Sequence, residues 1–112
     1  MEYYVYMLRC HGDLLYTGIT ADIKKRMREH VLALPAGAKF TRAHKPEQIV
    51  GLWRTEDKST ALKLEYRIKS LKRCDKLRLL EMPTLIFELF GDDIIPVDIP
   101  DLAYLINKLD KS

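Results

Sequence analysis

The chain has 112 residues, 47% hydrophobic and 31% charged, with five Gly, five Pro and two Cys, which fits one globular domain and excludes low-complexity, collagen-like and disulfide-stapled classes. Its net charge of +3 hides a division: residues 1–80 carry 17 Lys and Arg against 9 Asp and Glu, a balance of +8, whereas residues 81–112 carry 2 against 7, a balance of −5. A basic body favours a phosphate-bearing partner. With no apolar run approaching the ~18 residues of a membrane span and no signal-peptide pattern at the acidic N-terminus, the expectation is a cytoplasmic chain with reduced thiols and no membrane partner.

Residues 3–8 (YYVYML) are aromatic and β-branched and predict a strand. His11, Gly12 and Asp13 supply a turn, and residues 14–19 (LLYTGI) resume the pattern, which makes a β-hairpin. Tyr4 and Tyr6 share one face of the first strand, and Tyr16 lies on its partner. Gly18, late in the second strand, marks a bulge or a close backbone approach. Thr20 reads as the N-cap, with Asp22 in the first turn, of a helix over residues 21–34 with Ile23, Met27, Val31 and Leu34 on its apolar face. Pro35, Ala36 and Gly37 stop it, and residues 38–47 (AKFTRAHKPE) form a polar, basic loop. Residues 48–54 (QIVGLWR) predict a third strand. Ser59 or Thr60 caps a second helix that runs to about residue 73, with Ala61, Leu64, Ile68 and Leu71 as its apolar stripe.

A third, short helix over residues 75–82 ends at Pro83. Residues 84–90 (TLIFELF) fit a strand or a helix; Pro96 and Pro100 break the next stretch, and residues 101–110 read as a terminal amphipathic helix capped by Asp101. The order β-β-α-β-α-α gives an α+β domain, residues 1–82, around a small three-stranded antiparallel sheet flanked by helices, with an acidic C-terminal extension, residues 83–112, packed on the same domain.

Few side chains here suggest chemistry by themselves. Arg26 and His30 are four apart on the first helix, at the edge of its buried stripe, where they either face solvent or meet a neighbouring strand. Glu65 sits among Leu62, Lys69 and Lys72 on one stripe of the second helix. It is either the i,i+4 salt-bridge partner of Lys69 or a carboxylate that holds a divalent metal against phosphate. Tyrosines across a hairpin are ordinary packing.

Their order says more. Tyr4-Val5-Tyr6, then Tyr16-Thr17-Gly18, then Arg26, His30 and Glu65, resembles the GIY-YIG endonuclease superfamily, with YVY in place of GIY and YTG in place of YIG. The stretch L-Y-T-G-I-T-x-D-I-x-x-R-x-x-x-H is similar to the small stand-alone bacterial GIY-YIG proteins, as are Lys39-Phe40-Thr41 and Ala61-Leu62-x-x-Glu65-x-x-x-Lys69. The resemblance covers roughly residues 2–80. It implies hydrolysis of DNA phosphodiester bonds, in repair or recombination, with one divalent ion, Mg2+ or Mn2+, and no small-molecule cofactor. Glu65 would hold the metal. Arg26 would donate to the non-bridging oxygens with a planar fork that Lys cannot copy. Tyr6 would be the general base, with Tyr16 as positioner or alternate base, and His30 would orient a tyrosine or a phosphate. A free tyrosine ionises at about pH 10, so the cations would have to lower the value for Tyr6, and alkaline pH would favour activity. Lys39, Arg42, His44, Lys45, Lys69 and Lys72 would contact the nucleic-acid backbone.

Two features depart from the pattern. Nuclease-active members often carry a further polar residue, commonly Asn, after the metal glutamate, and the one Asn of this chain is Asn107, in the tail. Residues 83–112 lie outside the resemblance. Two other readings stay open: a non-catalytic nucleic-acid-binding module on the same fold, and an interaction domain whose acidic tail folds over the basic face.

Overall fold

A computed structural model describes residues 2–33, 37–91 and 94–100. Strand β1 (Tyr3–Cys10) and strand β2 (Leu14–Thr20) form the expected hairpin, pairing antiparallel from Tyr4↔Thr20 to Cys10↔Leu14. Its turn uses left-handed backbone at Gly12 (φ 84°) and Asp13 (φ 59°), the conformation that Gly and Asp tolerate best. Strand β3 (Pro46–Thr55) pairs antiparallel with the other side of β1. It starts before the predicted residue 48, because the backbone N–H of His11 already reaches the Lys45 carbonyl.

The sheet has four strands in the order β2-β1-β3-β4, which corrects the expectation of three. The fourth, β4 (Ile95–Pro96), is only two residues long, too short to show as a periodic pattern.

The helices also differ at their ends. Helix α1 (Ile23–Val31) is capped by Asp22, whose side chain accepts from the Lys25 N–H, rather than by Thr20; the Thr20 hydroxyl accepts from the Asp22 N–H instead. It is shorter than the predicted 21–34, and Ala33 just beyond it has φ 51°. Leu34, Pro35 and Ala36 lie outside the described residues. The basic loop contains a short helix, α2 (Lys39–Ala43). Helix α3 (Lys58–Ser70) is capped by Asp57, which accepts from the Thr60 N–H at 2.7 Å, in place of Ser59 or Thr60. Helix α4 (Arg73–Glu81) begins two residues earlier than expected, after the break at Leu71 and Lys72. Of the two alternatives for residues 84–90 the helix is correct: α5 is Leu85–Phe90. The terminal helix expected over residues 101–110, with its Asp101 cap, lies outside the described residues.

The alternation of β1 splits the core between the two faces of the sheet. Val5 and Met7 face one cluster with Trp53, Ala61, Leu64, Ile68 and Leu79, which buries the apolar stripe of α3. Tyr6, Leu8 and Cys10 face a second cluster with Met27, Ile49 and Leu52, under α1. Ile86 of α5 and Ile94 are buried in the first cluster. Cys10 is buried and Cys74 exposed, and both are free thiols.

Candidate active site

On the α1 side of the sheet, a buried polar chain runs through an otherwise apolar layer. Tyr6 points from β1 towards α1, and its Oη lies 2.6 Å from His30 Nε2. Arg26, one turn before His30 on α1, donates from Nε to the same Tyr6 Oη at 3.3 Å. The other ring nitrogen of His30, Nδ1, is 2.7 Å from Thr41 Oγ1 on α2, and that hydroxyl donates to the Ala38 carbonyl at 2.9 Å. Tyr6 and His30 are wholly buried and Thr41 almost so. Their placement follows from the elements: the even positions of β1 face α1, and i,i+4 spacing stacks Arg26 and His30 over the same strand.

His30 therefore does not stand at the helix edge, as the periodicity suggests; only Arg26 keeps partial exposure. The imidazole satisfies both ring nitrogens inside, which is what lets it be buried. Burial, helped by the Arg26 charge, pushes its pKa down to about 4, so it is neutral at physiological pH. Burial also drives the Tyr6 phenol well above the usual tyrosine range, with the Tyr16 phenol adding to the rise; the hydrogen bond from Arg26 pulls the other way and is outweighed. In the protein alone, then, the Arg26 cation does not offset burial, and the Tyr6 value stays above the usual range instead of falling below it as the sequence reading required.

Tyr16 on β2 is half-buried and closes the site from the hairpin side. Its ring meets Tyr6 at 6.3 Å and His30 edge-on at 5.4 Å, and stacks on Phe40 of α2 at 5.6 Å. Phe40 in turn lies 4.7 Å from the ring of His44, so a run of rings leads from the buried pair to the basic segment. Gly18 faces the same point. A Cβ there would stand 2.6 Å from Tyr6 Cζ and closer still to its hydroxyl, so the phenol occupies the space a side chain would need. This is the close approach that Gly18 signalled in the sequence.

Arg26 also donates from Nη1 to Glu29 Oε1 at 3.3 Å, and the pair borders an open depression with Thr20, Asp22 and Lys25. Lys39, Arg42, Lys45, Lys69 and Lys72 are exposed, and His44 is half-buried against Phe40. Glu65 stands on α3, whose apolar stripe packs on the Val5 and Met7 face of the sheet, with its side chain 20% exposed and its carboxylate 3.6 Å from Lys69 Nζ. Among the described residues no group of three or more His, Cys, Asp or Glu converges as a metal cage. Sequence reasoning assigned no role to Glu29 or Thr41. The i,i+3 spacing of Arg26 and Glu29 was a usable signal; Thr41 entered only through the Lys39-Phe40-Thr41 match, and nothing in the sequence joined it to His30, eleven residues away on another helix.

A family model described as the GIY-YIG catalytic domain matches residues 2–78. The chain belongs to the GIY-YIG family. Among similar proteins, the UPF0213 protein of Cupriavidus necator is 46% identical over 74 residues, which span 66% of this chain and 78% of the relative. The UPF0213 protein of Natronomonas pharaonis is 42% identical over 78 residues, 70% of this chain and 89% of the relative. The solution NMR structure of a UPF0213 protein from Bacillus halodurans shares 38% identity, covers 73% of this chain and 85% of that one, and has a TM-score of 0.49. The GIY-YIG match ends before α5 and β4, so the fourth strand of the sheet comes from outside it. No helix among the described residues is long and apolar enough to cross a membrane.

Proposed function

We propose that this GIY-YIG domain is a metal-dependent endonuclease that hydrolyses DNA phosphodiester bonds, acting in DNA repair or recombination. The observation that carries the reading is the Tyr6–His30 hydrogen bond with Arg26 on the same phenol, a polar chain that a core built only for packing does not need. Tyr6 is out of reach of solvent, which moves the water-facing role to its neighbour Tyr16. A proton taken from the attacking water at Tyr16 passes to Tyr6 as Tyr6 gives its own to His30. The low basicity of His30 suits this only when phosphate is present: bound DNA brings negative charge beside Arg26 and favours the protonated ring. Arg26 donates to the non-bridging oxygens, and the exposed Lys39, Arg42, Lys45, Lys69 and Lys72, with His44, hold the backbone.

Glu65 fits a divalent ion as a single anchor. It is a hard carboxylate paired with Lys69, and Mg2+ keeps most of its waters and takes one or two carboxylates together with substrate phosphate. Bound there, Mg2+ or Mn2+ would supply charge neutralisation at the scissile phosphate.

The test is cleavage of branched, nicked and linear DNA by the purified chain with Mg2+ or Mn2+, beside Glu65→Ala. We expect cuts by the wild type, none by the variant, and DNA binding by both. Binding without any cleavage by the wild type overturns the enzyme and leaves a nucleic-acid-binding module on the same fold.

A further inference from the structure

We propose that Thr41 is a positioning residue that fixes the His30 ring in its Nδ1–H form and so sets the direction in which Tyr6 passes its proton. The catalytic half of this inference rests on the nuclease reading above; the half that concerns the ring stands on hydrogen-bond geometry.

Three contacts in series share a small number of protons. They are Tyr6 Oη to His30 Nε2 at 2.6 Å, His30 Nδ1 to Thr41 Oγ1 at 2.7 Å, and Thr41 Oγ1 to the Ala38 carbonyl at 2.9 Å. A carbonyl oxygen only accepts, so the single hydroxyl proton of Thr41 belongs to the last contact. Towards His30, Thr41 can then only accept, which places the ring proton on Nδ1. Nε2 is left with its lone pair and accepts the Tyr6 O–H. All three contacts are hydrogen bonds in this arrangement.

The reverse arrangement fails at one end. If Nε2 carried the proton, Thr41 would have to donate to Nδ1, and two oxygens would face each other at 2.9 Å with no hydrogen between them. A water cannot stand between two oxygens 2.9 Å apart, so the mismatch would remain. The consequence for Tyr6 is a matter of polarity. With its proton directed at His30, its oxygen offers lone pairs to Arg26 Nε–H and to the Tyr16 side. With the ring reversed, that oxygen would receive N–H donors from both His30 and Arg26, and its proton would point outward, against the flow that hydrolysis requires. The ionisable groups about His30 are Tyr6 on β1, Tyr16 on β2 and Arg26 on its own helix, and Thr41 and Phe40 of α2 add no charge.

Nitrogen-15 spectra of the full chain labelled at histidine read the ring directly. For the wild type at neutral pH we expect His30 Nδ1 to be the protonated nitrogen and Nε2 the bare one. Thr41→Val keeps the shape and removes the acceptor, while the Ala38 carbonyl still accepts the Arg42 N–H at 3.1 Å. In that variant the proton should move to Nε2, since a buried N–H facing a methyl is costly. Thr41→Ser should restore the wild-type spectrum, which covers the case in which the valine variant fails to fold. In cleavage assays Thr41→Val should lose about a hundredfold in kcat with KM little changed, and Thr41→Ser should recover most of it. A wild-type ring protonated on Nε2, or a Thr41→Val ring unchanged from wild type, overturns the proposal. A reversed ring with wild-type kcat overturns its catalytic half. If the wild type cuts no DNA at all, the nuclease reading fails, and the spectra alone decide the role of Thr41.

Discussion

The Arg26 guanidinium meets partners that differ in kind. Nε holds the Tyr6 phenol and Nη1 holds the Glu29 carboxylate, each at 3.3 Å. A lysine ammonium is a point charge and cannot reproduce that fork. Arg26→Lys should therefore cut about as poorly as Arg26→Ala, with a loss on the order of a hundredfold in kcat, by comparison with removing one transition-state donor. Turnover near wild type in the lysine variant would reduce Arg26 to a generic cation. His30 makes the second prediction, through stability. Its native pKa of about 4 lies below the ~6.5 of an unfolded histidine, so the unfolded chain binds the extra proton first. Stability from this residue is complete above pH ~6.5 and is lost as pH falls towards 4. Urea melts of wild type and His30→Gln at pH 7.5 and 5 should show the larger acid loss in the wild type; equal losses would mean that His30 is not neutral in the folded state. Tyr6, Arg26 and His30 were legible as candidates through the order of the GIY-YIG-like motifs, whereas strand and helix periods alone left the tyrosines as packing and His30 at a helix edge. The sequence could not show that Tyr6 is sealed from water, since burial depends on Gly18 and Tyr16 from the neighbouring strand.

Helix ends and short elements were the least legible. Asp22 and Asp57 won the cap positions over Thr20 and Ser59 because their carboxylates reach the third amide beyond. Helix α2 has five residues and no apolar repeat of its own; it exists where Phe40 can stack on Tyr16 and Thr41 can meet His30. Helix α5 was ambiguous because LIFELF is apolar at every position but Glu88, and the choice was made by packing: Ile86 is buried, whereas Phe87 and Leu89 are exposed. Two ties hold this region to the sheet. Trp53 Nε1 donates to the Pro83 carbonyl at 3.4 Å, and the Arg67 guanidinium lies over the Phe90 ring at 5.6 Å. Ile86→Ala should accordingly destabilise the whole fold by about 2–5 kcal/mol, as a large-to-small change in a shared core does. A melting curve unchanged from wild type would detach α5 from the core.

The charge division of the chain sets its behaviour as a whole. A body of +8 should bind DNA mainly through counterion release, with log affinity falling by about 0.9 per phosphate contact for each unit of log salt. Affinities measured from 50 to 200 mM salt should fall steeply, and a flat profile would remove the basic surface from the account.

One element bears on a different property. The outer edge of β3 would present a row of bare backbone donors and acceptors, and β4 covers part of it: Trp53 pairs with Pro96, Arg54 with Ile95, and the Val97 N–H donates to the Leu52 carbonyl at 2.9 Å. Pro96 has no N–H of its own, so the strand that covers this edge is itself a poor template for another. Two residues would thus guard this edge against self-association. A chain shortened to end at residue 94, which keeps the buried Ile94, should lose that guard and form concentration-dependent aggregates by edge pairing, visible in light scattering, while Pro96→Val in the full chain should move the same way more weakly. Scattering from the shortened chain that does not change with concentration would assign β4 to packing alone.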